Sequence, residues 1–216
     1  MRFGPGHPLA YPVAVTIGAL AITAAWAPFA DTDQRAALAT VALAIVGYTG
    51  FQLGIALGLL PNGLGPAAEV DIKRTRQEHR LVSRSWLEIT PATWLPVYFD
   101  PALLTLTETT AEYTGRALRT TELRLYPSGR ARGTEPPGRL IDNPSRPDPE
   151  ASALATDATR PTRRLLLDAQ STVAAPFAAL LWVYIDGGGL VTFLGAACVA
   201  AAVTVWLAAV RGSDPS

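Results

Sequence analysis

Asp168 and Gln170 stand in the opening turns of an apolar stretch that starts at Arg163-Arg164 and runs to about Ile185. Ionisable side chains are expensive in such surroundings, and a carboxylate there could relay a proton or coordinate an ion in a polar pathway. Its shallow depth offers a plainer use. So close to the boundary, Asp168 can reach headgroup water, pair with Arg164 one turn back, or favour a helix N-terminus. The structural or interfacial role is the stronger expectation.

Lys73, Arg74, Arg76, Arg80 and Arg84 form a second set, set against three acids between Glu69 and Arg84. Such cations suit anionic lipid headgroups, although marking membrane topology is their commoner role. Their apolar neighbours define no clear face, so the segment reads as a short juxtamembrane helix or an extended arm. Trp86, Trp94, Tyr98 and Phe99 form a third set. Packing in a core or contact with a membrane interface suits them better than a ligand platform does.

Other chemistries lack their parts. His7 and His79 are too few and too far apart to suggest zinc. Cys198, the one cysteine, excludes an intramolecular disulfide and any metal site built from cysteines; in its apolar run it reads as a small packing residue. No phosphate-binding loop, dinucleotide fingerprint, nucleophile elbow or paired CxxC occurs, and Gly187-Gly188-Gly189 has no following Lys-Ser/Thr. No cofactor is expected. The formal net charge of zero provides no global field to recruit nucleic acid.

The elements that must position these groups are mostly apolar. Of 216 residues, 49% are hydrophobic and 17% charged, below the roughly 25% charged of ordinary soluble domains. A single lysine, Lys73, among abundant arginine and alanine matches GC-rich, bacterial coding. Residues 9–30 carry no charge and suffice to span a hydrocarbon core of roughly 30 Å. Arg2 and Ala25-Trp26-Ala27 imitate a cleavable leader, but Pro28 would come directly after the cut and the apolar stretch is long for a leader, so a retained membrane helix is predicted. Residues 36–60 form the second span, after a turn at Asp31–Arg35. Gly47, Gly50, Gly54 and Gly58 fall within about 80° of one another on it. Together with Ala14, Gly18, Ala21 and Ala25 on the first helix they predict close helix packing, against each other or against another subunit. Spans at about 164–185, with Pro176 kinking its middle, and 190–210 complete four helices in two hairpins.

Between the hairpins lies β-type sequence. Leu87–Ile89, Trp94–Phe99 and Leu103–Thr107 are rich in β-favouring residues and separated by Thr90-Pro91 and Asp100-Pro101. Thr121–Tyr126 alternates cleanly, and Arg130–Arg132 reads as a short return strand. Pro96 belongs at an edge or bulge, because it cannot donate to a ladder. The expectation is a small antiparallel sheet or partial barrel of four to six strands, docked on the helices for stability. The proline-rich stretch beyond it reads as a tether, in which Glu135–Leu140 resembles a recognition peptide less than a solvated linker.

The fold class expected is therefore α+β: an N-terminal hairpin over 1–66, a juxtamembrane arm and β-rich domain over 67–133, a tether over 134–162 and a C-terminal hairpin over 163–216. Arg2, the Lys73–Arg84 cluster, Arg163, Arg164 and Arg211 lie on one side, against Arg35 with Asp31, Asp33 and Asp186 on the other. The positive-inside rule places both termini and the central domain in the cytoplasm of a cell-membrane protein. An accessory subunit or scaffold without enzymatic activity is the leading expectation. A transporter component using Asp168 comes second, and a membrane-surface enzyme third. The partners implied are the lipid bilayer and other membrane subunits, including a second copy of the chain.

Overall fold

The computed structural model describes residues 6–115, 117–121, 123–143 and 151–216. Arg2, Glu122, Pro144, Pro147 and Pro149 lie outside the described residues. The first helix, α1, is Ala10–Trp26, with Pro12 in its first turn and a 3-10 turn at Ala27–Phe29 closing it. Helix α2 is Thr32–Ala56, displaced toward the N-terminus from the expected 36–60. The cause lies at both ends. The Asp31 carboxylate accepts from Gln34 N at 2.9 Å, starting the helix early, and Gly58 at φ +76° stops it.

The described residues then form seven strands: β1 (Ala68–His79), β2 (Val82–Ile89), β3 (Thr93–Val97), β4 (Thr109–Tyr113), β5 (Leu118–Arg119), β6 (Arg124–Leu125) and β7 (Arg139–Asp142). They make one antiparallel sheet in the order β3-β2-β1-β4-β5-β6, with β7 also on β1. After β6 the chain returns along β3, through bridges Val97–Pro127 and Trp94–Arg132, and curls the sheet round its core. Ile72, Leu87, Leu95, Val97, Leu103 and Leu118 fill the inside.

Three expectations change here. The basic segment is neither helix nor arm: β1 is the long strand that pairs with β2, β4 and β7. Val70 and Ile72 alternating with acids were the signal, masked by the arginines after them. Pro101–Thr105 forms a 3-10 turn instead of a strand, because Pro101 favours its start and Asp100 caps it through Ala102 N at 2.9 Å. The supposed tether supplies β7 and a helix, α3 (Ala151–Ala158). Leu140, from the peptide weighed for recognition, pairs with Gln77 in the ladder. Pro96 sits in β3, last in the pairing order, between the bridges at Trp94 and Val97, where its carbonyl still accepts from Ser128 N at 2.8 Å.

The remaining helices are α4 (Pro161–Ala169), α5 (Ala175–Asp186) and α6 (Leu190–Val210), with a 3-10 turn at Gln170–Ala174 joining α4 to α5 just before Pro176. Ala10–Phe29, Thr32–Ala56, Pro161–Asp186 and Leu190–Val210 are each long and apolar enough to cross a membrane. Phe29, Leu43, Leu166, Phe177 and Ile185 project outward from them, an exposed apolar belt that water would penalise.

The glycine and alanine stripes do not pack against each other within the chain. Ala14, Gly18, Ala21 and Ala25 are exposed, and a Cβ on Gly18, Gly47 or Gly50 would meet nothing within 4 Å. A Cβ on Gly54 would meet Leu60 at 2.9 Å, and Gly58 serves as a helix stop. The helices bury hydroxyls instead. Trp206 Nε1 of α6 donates to Thr49 Oγ1 of α2 at 2.9 Å, and Thr49 and Thr16 hydroxyls lie 3.4 Å apart. Thr16 can accept here because its own hydroxyl donates to Pro12 O, and both threonines are buried. The close α1–α6 approach is at Gly195, where a Cβ would stand 3.0 Å from the Trp26 ring.

Candidate functional site

The ends of α1, α2, α4 and α6 that face the sheet meet it through one buried polar junction. Apolar contact comes first: Tyr98, leaving β3, packs with Leu9 and Ala56, and its hydroxyl donates to Val210 O at 2.7 Å. The chain then leaves α6 through Gly212, whose φ of +80° and proximity to Ser128 and Val97 O leave no room for a side chain.

Unequal strand lengths direct the tail beyond Gly212. β3 pairs with β2 only as far as Ser85, so the start of β2 is left unpaired on that side. The tail fills it. Ser213 bridges Arg84, and Asp214 N donates to Ser83 O at 2.9 Å. The Asp214 side chain is thereby delivered into the mouth of the sheet with no exposed surface.

Arg74 meets it there. On β1 it shares the inward face with Ile72, two residues before it, and its Nη2 donates to Asp214 Oδ2 at 2.6 Å. Ser85 Oγ donates to the same oxygen at 2.6 Å, and Ser216 supplies N and Oγ to Oδ1 at 2.9 and 2.7 Å. Arg74 Nη1 reaches Asn143 Oδ1 at 2.6 Å, and Asn143 in turn donates to the carbonyls of Leu103 and Leu106. Burial alone would raise the Asp214 pKa, but the Arg74 guanidinium and the bonds from Ser216 and Ser85 outweigh it and hold the carboxyl below its ordinary range.

Asp168 extends the junction into the bundle. Its Oδ2 accepts from Tyr11 Oη at 2.6 Å and from Ser213 Oγ at 3.1 Å, and only 3% of the residue is exposed. The expected headgroup contact is thus replaced by burial beneath the tail. Arg164, one turn back, makes no direct ion pair with it; its guanidinium lies over the Tyr11 ring at 4.1 Å and the Phe99 ring at 5.7 Å. Two formal cations, Arg74 and Arg164, thus balance Asp168 and Asp214. Gln170 is exposed and takes no part.

The other basic residues separate. Lys73 pairs with Asp142 at 2.6 Å on the surface, and Arg76 with Glu78 at 2.8 Å. Arg80 sits in the two-residue turn between β1 and β2 with φ +55°. Arg74 is buried in the junction, and Arg84 faces Leu167 and Arg211 across a small cavity beside the bundle. The aromatic set divides too. Trp86 donates to Gln77 Oε1 at 2.8 Å with Arg132 over its ring, whereas Tyr98 and Phe99 face the helices.

Chemically the junction is closed. Asp214 has both oxygens engaged and no exposed surface, and it joins the tail to β1 and β2. Among the described residues no three His, Cys, Asp or Glu side chains stand close enough to hold a metal ion. Sequence reasoning missed Tyr11, Ser213 and Asp214, because neither a tyrosine at a span boundary nor a short polar tail signals a distant partner. No family model, curated protein or solved structure matches the chain.

Proposed function

We propose that the chain is an integral membrane accessory subunit or scaffold, without enzymatic activity, that holds its curled sheet at a fixed position on the cytoplasmic side. The observation that carries this reading is the enclosure of Asp168 and Asp214. Charges that a transporter would expose along a polar path are spent here on fixing the tail, the sheet and two helices to one another. A sheet so mounted is a platform.

The outward small-residue stripes give a lateral surface to the same function. Gly47 and Gly50, open within the chain, admit the close approach of a helix from another membrane subunit or a second copy. Sidedness follows from the arginines gathered at the sheet end of the bundle.

Two experiments test the proposal. Purification in mild detergent followed by mass spectrometry should recover a stoichiometric membrane partner or a homo-oligomer, and Gly50→Leu should release it without lowering stability. A monomer alone, with proton- or ion-coupled flux that Asp168→Asn abolishes, would overturn it in favour of transport. In a Cys198→Ala background, Leu190→Cys should react with an impermeant thiol reagent on intact cells and Glu135→Cys should not. The reverse would place the sheet outside.

A further inference from the structure

A cavity of about 170 Å³ lies where the β1–β2 turn meets α4 and α6, bordered by Arg84, Arg211, Leu81, Val82, Leu167 and Leu207. Among the described residues neither arginine has a carboxylate within ion-pair distance, in contrast to Arg74. Arg211 gives its Nε to Tyr48 Oη at 3.2 Å, which leaves its terminal nitrogens unassigned. Burial, reinforced by the neighbouring Arg211 charge, pushes Arg84 down to about 10, the mark of two cations opposing each other beside one cavity. Asp168 also borders the space, but its Oδ2 accepts from Tyr11 and Ser213, and the Arg164 charge lies near it.

The apolar rim narrows the class of anion. Leu81 and Val82, at the hairpin tip, are 47% and 43% exposed, and Leu166 beside Leu167 is 72% exposed. Arg211 is the residue at which α6 ends, so cations and apolar groups coincide at the level where a span meets headgroups. A free phosphate would use only the cations, whereas a phospholipid uses both.

We propose that Arg84 and Arg211 together bind the phosphate of an anionic phospholipid, whose apolar part lies against Leu81, Val82, Leu167 and Leu207. The bound lipid neutralises the paired guanidiniums and ties the β1–β2 turn to the membrane surface. The inference rests on the proposed membrane placement; a wild-type protein that failed to float with vesicles of any composition would refute that placement, before any lipid preference was measured.

The test is native mass spectrometry of the full chain in mild detergent, titrated with phosphatidylglycerol, with phosphatidylcholine, or with inorganic phosphate at matched ionic strength. Phosphatidylcholine carries the same phosphate beside a cancelling cation. Phosphatidylglycerol should bind most tightly. A cation near anionic headgroups is worth about fivefold in affinity, so the R84Q/R211Q double variant should bind it about thirtyfold more weakly. R84K/R211K, which keeps the charges, should recover most of the affinity, and R119Q, on β5, should match wild type. If the double glutamine variant does not fold, each single variant should show the fivefold loss. Equal phosphatidylglycerol binding by wild type and the glutamine variants would overturn the site. Inorganic phosphate binding as tightly, with the same dependence on both arginines, would overturn the lipid as its source.

Discussion

At the sheet end of the bundle, α1, α4 and α6 are joined to β1 and β2 through Tyr11, Asp168, Ser213, Asp214 and Arg74, nearly all of them buried. At the far end the two hairpin turns meet through one exposed bond, from Gln34 Nε2 to Asp186 Oδ2 at 2.9 Å, above an apolar cleft of about 300 Å³ that Trp26, Phe29 and Trp182 help to line. The contrast teaches where specificity resides. Apolar contact between helices is non-directional, so a defined arrangement needs directional bonds, and these concentrate where the sheet can enclose them. The far end is held by apolar contact, as where Gly195 meets the Trp26 ring.

The contrast breaks most decisively at Asp214. Asp214→Ala leaves Arg74 buried without its counter-charge, and removing one member of a buried pair costs about 3–5 kcal/mol. Equilibrium unfolding in detergent should show that loss. The pH dependence has a definite sign. The folded-state carboxyl titrates below its ordinary value of about 4, so its contribution is complete above that value and disappears as pH falls through the lower folded one. Wild-type stability should therefore decline below about pH 4 by a component that Asp214→Ala lacks.

Glycine substitutions sharpen the comparison between inward and outward faces. Gly54→Leu must displace the flexible, partly exposed Leu60 side chain and should cost about 1 kcal/mol, while Gly50→Leu, facing open space, should leave the monomer's stability unchanged. Thermal unfolding of both in one detergent controls for their equal gain in apolar volume. Trp206→Phe removes the bond to Thr49 and keeps an aromatic ring, so the expected loss is about 0.6–1.7 kcal/mol. Gln34→Ala, at the far end, should change stability by less than about 0.5 kcal/mol, as for an exposed site without a buried partner.

Much of the fold could be read from composition, because spans and strand alternation are local properties. The four apolar helices and the β-type runs at Leu87–Ile89 and Trp94–Phe99, which fall in β2 and at β3, all depend on residues within a few positions of one another. The junction could not be read, because its members come from residues 11, 74, 168 and 214 and each has a local explanation. Arg74 passed for one more juxtamembrane cation, Asp168 for a headgroup contact and Asp214 for part of a soluble tail. Which face the glycines serve was hidden for a related reason. A stripe of small residues states that close approach is allowed, without stating which face the chain uses, and here Thr16, Thr49 and Trp206 decided it.

The central claim is that the tail fixes the sheet to the bundle, and the distance between them tests it most directly. Spin labels at Glu112→Cys on β4 and Leu190→Cys at the far end, in a Cys198→Ala background, report that distance by pulsed electron paramagnetic resonance. A single narrow distribution is expected in the wild-type tail, broadening or splitting in Asp214→Ala while the helices stay folded by circular dichroism. A broad distribution with the tail intact, or an equally narrow one without Asp214, would contradict the claim.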